Sequence, residues 1–134
     1  NNYGIGQYVE KLIPKAVKLL SLGRKIPLHN NGMPYRNWLH ADDTAEAVIT
    51  LIEKGEAGEI YNVAGGFEQV VGELTGADPD DLDDYVDFSC SRPGQDVRYA
   101  LDDSKLRNLG WKPKKLFSME IKSIVGYYKN KFIW

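Results

Sequence analysis

Arg92-Pro93-Gly94-Gln95-Asp96 runs straight into Val97-Arg98-Tyr99-Ala100-Leu101-Asp102, an arginine on a rigid turn ahead of a strand-like alternation of polar and apolar residues. Pro93 fixes one backbone angle and Gly94 permits the next, so the Arg92 guanidinium is presented from a defined turn. Its planar fork of donors suits a phosphate or a carboxylate. Outward from this cassette, strand-like and helical stretches alternate, the order of an α/β fold.

Toward the N-terminus, residues 1–13 read as an irregular loop rich in Asn, Gly and Gln. Pro14 is placed to open a helix running to Leu22, with Ala16, Val17, Leu19 and Leu20 available for burial and Gly23 as its stop. Residues 25–30 and 35–40 read as short strands about Asn30-Asn31-Gly32, where Asn-Gly chemistry favours a tight reversal. Asp43 and Glu46 have the spacing of a capping box for a helix ending near Gly55. Ala45, Val48, Ile49 and Ile52 then form its expected buried stripe.

Residues 59–64 read as a strand ended by Gly65-Gly66, and 70–75 as a brief helix. The acidic run holding Asp78, Asp80, Asp81, Asp83, Asp84 and Asp87 lacks the central glycine of an EF-hand, so it reads as a solvated turn and helix start. His40 has no partner cluster, and no metal site is expected. Residues 85–90 and 96–101 are strand candidates. Residues 104–109 read as a short helix stopped by Gly110, and 118–129 as the last helix, with Ile121, Ile124, Val125 and Tyr128 on one face. No internal repeat, low-complexity tract or linker interrupts the 134 residues.

A chain of this length fits one domain or a large piece of one. With 43% hydrophobic and 27% charged residues it is of ordinary globular composition, and a net charge of −2 gives no global attraction for nucleic acid. The single cysteine, Cys90, cannot close an internal disulfide, which suits a reducing, cytoplasmic compartment. No apolar run approaches the roughly 18 residues of a membrane span, and no signal peptide is recognised. The chain opens abruptly inside a motif, as a fragment would.

Lys11, Arg36 and Arg92 each stand beside a loop or a strand end. Convergent cations of this kind could hold a pyrophosphate through charge-assisted hydrogen bonds, although by composition alone solvated surface positions describe them better. Other stretches decide between the two. Asn1-Asn2-Tyr3-Gly4, Glu10-Lys11-Leu12-Ile13-Pro14, Arg36-Asn37-Trp38-Leu39-His40 and Ile60-Tyr61-Asn62-Val63 stand in one order with the Arg-Pro-Gly cassette. In that order they resemble the C-terminal part of the nucleotide-sugar 4,6-dehydratases, the dTDP-glucose 4,6-dehydratase type of the extended short-chain dehydrogenase/reductase family. The resemblance runs over nearly the whole chain, with a gap near Gln69.

It implies the last Rossmann strands plus a small α/β substrate-binding domain, with residues 1–134 as the substrate-binding portion and the N-terminal NAD-binding half absent. The implied ligand is a nucleotide-diphosphate sugar. The resemblance places Lys11, Arg36 and Arg92 on the diphosphate, Asn1 on the substrate, and Leu12, Pro27 and His29 along the nucleotide pocket. Asn2 falls near the nicotinamide of NAD, which the complete parent enzyme would bind and this chain alone would bind poorly. His29 replaces what is often tyrosine, weakening stacking on the base. Gln95 replaces the histidine that usually follows Arg-Pro-Gly, keeping a hydrogen-bonding amide without its charge. After Gly65-Gly66 an expected asparagine is missing, and with it one substrate contact.

No Gly-rich phosphate turn is present, and none of Tyr3, Tyr8 and Tyr61 has a lysine four residues on. Tyr127 has Lys131 at that spacing, but on the last helix, outside the family context. No catalytic residue is therefore expected within this chain. Its partner would be the missing N-terminal half, with a homodimer possible only for the parent. The competing readings are a fragment of a UDP-sugar epimerase or decarboxylase of the same superfamily, or a non-catalytic sugar-nucleotide binding module.

Overall fold

A computed structural model describes residues 1–66, 68–70, 81–98 and 100–131, with 68–70 as backbone. The first helix, α1, spans Leu12–Ser21, two residues earlier than the proline rule places it. Pro14 therefore sits in the first turn rather than at its head. It is tolerated there because the first four amides of a helix have no intrahelical acceptor to lose. Gly23 stops the helix as expected. At φ +64 it lets its own amide reach the Leu20 carbonyl (3.0 Å) while the Arg24 amide reaches Leu19 (2.8 Å), closing a Schellman motif.

The strands are short and pair as separate ladders. β1 (Asn2–Tyr3) runs parallel to β4 (Leu39–His40), and β2 (Ile26–Pro27) runs parallel to β6 (Val86–Asp87). β3 (Tyr35–Asn37) lies antiparallel to β5 (Glu68–Val70). The chain does reverse at Asn30-Asn31-Gly32, but β2 and β3 do not pair with each other. Asn30, Asn31 and Gly32 are all left-handed, at φ 51, 56 and 68, and this wide turn sends the flanking strands to different partners. Residues 59–64 form no strand, and among the described residues of 96–101 Arg98 bridges to Tyr35. Val70 belongs to β5 rather than to a helix, while the rest of that expected helix and Asp78 and Asp80 lie outside the described residues.

The helix α2 spans Ala41–Lys54, with the C-cap at Gly55 as expected. Its start differs from the capping-box reading. His40 is the N-cap, and its Nδ1 accepts the Asp42 amide at 3.1 Å. Asp43 lies within the first turn, only 2% exposed. Its two carboxylate oxygens accept the backbone amides of Lys114 and Lys115, each at 3.0 Å. Its carbonyl accepts the Trp111 indole N–H at 3.2 Å. The stripe expected to be buried, Ala45, Val48, Ile49 and Ile52, is exposed, with Ile52 at 80%; Asp43 and Ala47 face inward instead.

Two short helices follow, α3 (Leu82–Tyr85) and α4 (Ser104–Arg107), and after Gly110 the long α5 (Phe117–Asn130). Ile124 and Tyr128 of α5 are buried against Tyr3, Ile13, Val17 and Trp38, so α5 packs across α1 and the N-terminal loop. The Tyr128 hydroxyl donates to the carbonyls of Gly4 (3.2 Å) and Gln7 (3.1 Å), fixing that loop. A second cluster joins Leu39, Ala47, Leu106 and Trp111, and a third joins Ile26, Leu28 and Val86. Gly65 passes so close to β4 that a Cβ would lie 1.8 Å from the Trp38 carbonyl oxygen. Its amide donates to Asn37 Oδ1 at 2.6 Å.

Candidate functional site

In β3 an exposed Tyr35 is followed by buried Arg36 and Asn37; Arg36 is 9% exposed and donates Nη1 to the Tyr35 carbonyl at 2.7 Å. A guanidinium at this position makes the surrounding space attractive to an anion. Arg36 lines a cavity of about 190 Å³ together with Asn1, Leu12, Pro27, His29, Trp38 and Gln95. Leu12 arrives from the start of α1, Pro27 from β2, His29 from the wide turn and Gln95 from the Arg-Pro-Gly cassette. An adjoining cleft of about 480 Å³ shares Asn1, Leu12 and Trp38 and adds Asn2, Gln7, Tyr8 and Lys11. A third, of about 190 Å³, carries Asn1, Asn2 and Arg36 toward Val63 and Leu101.

Asn1, Asn2, Lys11, Leu12, Pro27, His29, Arg36 and Gln95, far apart in sequence, thus line contiguous clefts. Arg92 does not line any of the three. It is exposed on the cassette turn, and its backbone amide donates to Asn30 Oδ1 at 3.3 Å. Lys11 is exposed and pairs with neighbouring Glu10 at 3.1 Å, a contact that water screens and a stronger anion could displace. Asn2 Oδ1 accepts the Thr44 hydroxyl at 3.1 Å, which leaves its amide N–H groups as donors. One carboxamide suits the edge of a nicotinamide but cannot hold a dinucleotide, so the residues described fit NAD at a single point.

Sequence reasoning missed Trp38, Gln7 and Asn30. Trp38 walls two of the clefts, and its indole N–H is buried without a hydrogen-bond partner among the described residues, as is Gln7 Oε1. The signal for Trp38 was its place two residues after Arg36, on the same side of an extended chain. Behind the clefts, Tyr3 packs edge-on against Trp38, His40 and Phe117. Burial, with Asp43 and Glu120 adding their charge, pushes its hydroxyl up to about 12. A further groove of about 340 Å³ between α1 and α5 is apolar, lined by Leu12, Val17, Phe117, Ile121 and Val125 among others. It offers no convergent polar groups, so chemistry is assigned to the Arg36 side. No cluster of metal-ligating side chains occurs among the described residues, and no described helix is long and apolar enough to cross a membrane.

A buried arginine, a lysine and carboxamides gathered around clefts between strand ends and loops of an α/β scaffold have a chemistry compatible with a polar anionic ligand. The sequence model of the NAD dependent epimerase/dehydratase family matches residues 1–64. Over that stretch the chain is similar to that family, and the α/β, Rossmann-type architecture expected from its sequence is borne out. Within it, the resemblance to dTDP-glucose 4,6-dehydratases holds over the whole chain. The dTDP-D-glucose 4,6-dehydratase of Mus musculus is 39% identical over 141 residues, covering 98% of this chain and 40% of the relative. The crystal structure of dTDP-glucose 4,6-dehydratase from Streptomyces venezuelae, which has NAD bound, superposes with a TM-score of 0.87 at 39% identity, covering 97% of this chain and 42% of that one. A UDP-glucose 4-epimerase from Thermotoga maritima reaches a TM-score of 0.81 at 24% identity, with 97% and 44% covered, a likeness of fold alone. The chain spans about 40% of the length of the curated relatives it matches.

Proposed function

We propose that this chain is the nucleotide-sugar-binding portion of a 4,6-dehydratase whose substrate resembles dTDP-glucose. The carrying observation is the cavity in which Arg36 meets Asn1, Leu12, Pro27, His29 and Gln95. In this reading the diphosphate lies between Arg36 and Lys11, the base packs on Leu12, Pro27 and His29, and the sugar points toward Asn1. Arg92 joins from the rim. Asn2 would offer its carboxamide to the nicotinamide of NAD, which would supply hydride-transfer chemistry when bound to the whole protein.

The acid, base and hydride chemistry of forming a 4-keto-6-deoxy sugar would then come from the part of a relative-length protein that this chain does not span. The exposed stripe of Val48, Ile49 and Ile52 on α2 is the face this portion would turn toward that remainder. The chain by itself is expected to bind without catalysing.

Amide NMR spectra recorded while titrating dTDP, with UDP and NAD as controls, test the reading. Shifts at Lys11, Leu12, His29 and Arg36 that saturate with dTDP are expected. Lys11→Ala, which removes an exposed charge-assisted donor, should weaken dTDP by about tenfold. Stronger binding of UDP would favour an epimerase or decarboxylase portion. A dispersed spectrum that responds to neither nucleotide would refute a preformed nucleotide site in this chain.

A further inference from the structure

We propose that Asn30 is a positioning residue that fastens the Arg-Pro-Gly loop to the rim of the nucleotide cleft. Asn30 does not line the cavity formed by Arg36, His29 and Gln95. Its side chain nevertheless touches both ends of the loop. Oδ1 accepts the Arg92 backbone amide at 3.3 Å, and Nδ2 donates to Gln95 Oε1 at 3.3 Å. The loop closes on itself between them, with the Gln95 amide on the Arg92 carbonyl at 3.3 Å. The Asn30 backbone adds a third tie, its amide donating to the Cys90 carbonyl at 3.1 Å.

The residue type follows from the chemistry. One side chain must accept at one end and donate at the other, which a primary amide does and a carboxylate or an aliphatic group does not. It must also sit at φ 51, ψ 48, a left-handed conformation that asparagine tolerates better than other non-glycine residues. Gln95 faces the cavity and has rotatable bonds to lose, so a partner that fixes its amide removes part of the entropy cost of meeting a ligand. Downstream, the Tyr35 amide on the Val97 carbonyl (2.8 Å) ties the same loop to β3, beside Arg36. Asn30 therefore sets where Gln95 and the Arg92 turn stand relative to Arg36.

The binding arm of the test rests on the functional reading above; the loop arm does not. Asn30→Gly keeps the left-handed backbone and deletes the carboxamide. Asn30→Asp keeps the acceptor for the Arg92 amide but cannot donate to Gln95. In Asn30→Gly, hydrogen exchange at the Arg92 amide is expected to rise about fivefold, the loss of one ordinary hydrogen bond, and to stay near wild type in Asn30→Asp. Affinity for dTDP should fall about fivefold in Asn30→Gly, and by much less when Gln95→Ala is already present, because the two changes remove one interaction. Unchanged Arg92 exchange in Asn30→Gly would overturn the clip. Faster exchange with unchanged dTDP affinity would overturn the positioning role. A wild-type chain that binds no dTDP would overturn the functional reading, and the exchange measurement would still decide the clip.

Discussion

Asp43→Ala should be among the most damaging single substitutions in this chain. The carboxylate is 2% exposed and accepts the Lys114 and Lys115 amides at 3.0 Å each, joining the first turn of α2 to the loop ahead of α5. Hydrogen bonds to a charged group contribute roughly 1.5–3 kcal/mol each, and an amide left behind can recover part of that from water. The expected loss is about 3–5 kcal/mol. For a chain of this size that is a fall of roughly 10–20 °C in Tm. Asp43→Asn should lose about 2–3 kcal/mol, since its oxygen keeps one amide while its NH2 group faces the other. Asp42→Ala is the control: its side chain is 68% exposed, and its contact with Lys115 at 3.7 Å should be worth less than about 1 kcal/mol. Urea unfolding followed by circular dichroism and tryptophan emission gives the comparison directly, because the Trp111 indole donates to the Asp43 carbonyl. An Asp43→Ala protein within 1 kcal/mol of wild type would show that the two amides find water at no cost, and that the anchor is illusory.

Gly65→Ala should destabilise by roughly 1–3 kcal/mol or more, because the new Cβ would meet backbone, the Trp38 carbonyl at 1.8 Å, which cannot rotate aside. Gly23→Ala, where nothing lies within 4 Å, should cost only its left-handed strain; equal losses at the two glycines in thermal melts would contradict the packing argument. Tyr3 makes stability fall at alkaline pH. Its hydroxyl ionises near 10.0 when unfolded and near 12 when folded, so the unfolded chain has released a proton that the native one retains. That contribution is whole below pH 10 and is lost as the pH rises toward 12. Tyr3→Phe should flatten the decline in urea-unfolding experiments between those values, and an unchanged slope would remove Tyr3 as its source.

Much of the candidate site was legible because its residues sit in local patterns that do not depend on long-range pairing. Arg36 lies in a run that reads locally as a strand, and Gln95 follows a Pro-Gly turn that had to be a loop. What stayed hidden was pairing across distance. Residues 25–30 and 35–40 look like neighbours in a reversal, yet Ile26 pairs with Val86 and Tyr35 with Val70. No local rule could have linked Asn30 to Arg92, because their contact depends on a left-handed turn meeting a loop that the sheet brings alongside.

The α2 stripe shows why periodicity alone chose the wrong face. Ala45, Val48, Ile49 and Ile52 satisfy the helical spacing, and a count of apolar residues selects them. The side that packs within the described residues is instead Asp43, Ala47 and Leu51, also at helical spacing, but begun by a carboxylate and continued by a small residue. Asp43 is buried because it has two amides to accept, and Ala47 is fully covered because Leu39, Leu106 and Trp111 approach closely over a methyl group. Neither cause is visible in hydrophobicity. The exposure of Ile52 and the burial of Asp43 therefore belong together: α2 packs among the described residues through Asp43, Ala47 and Leu51, and the apolar stripe lies on its other side.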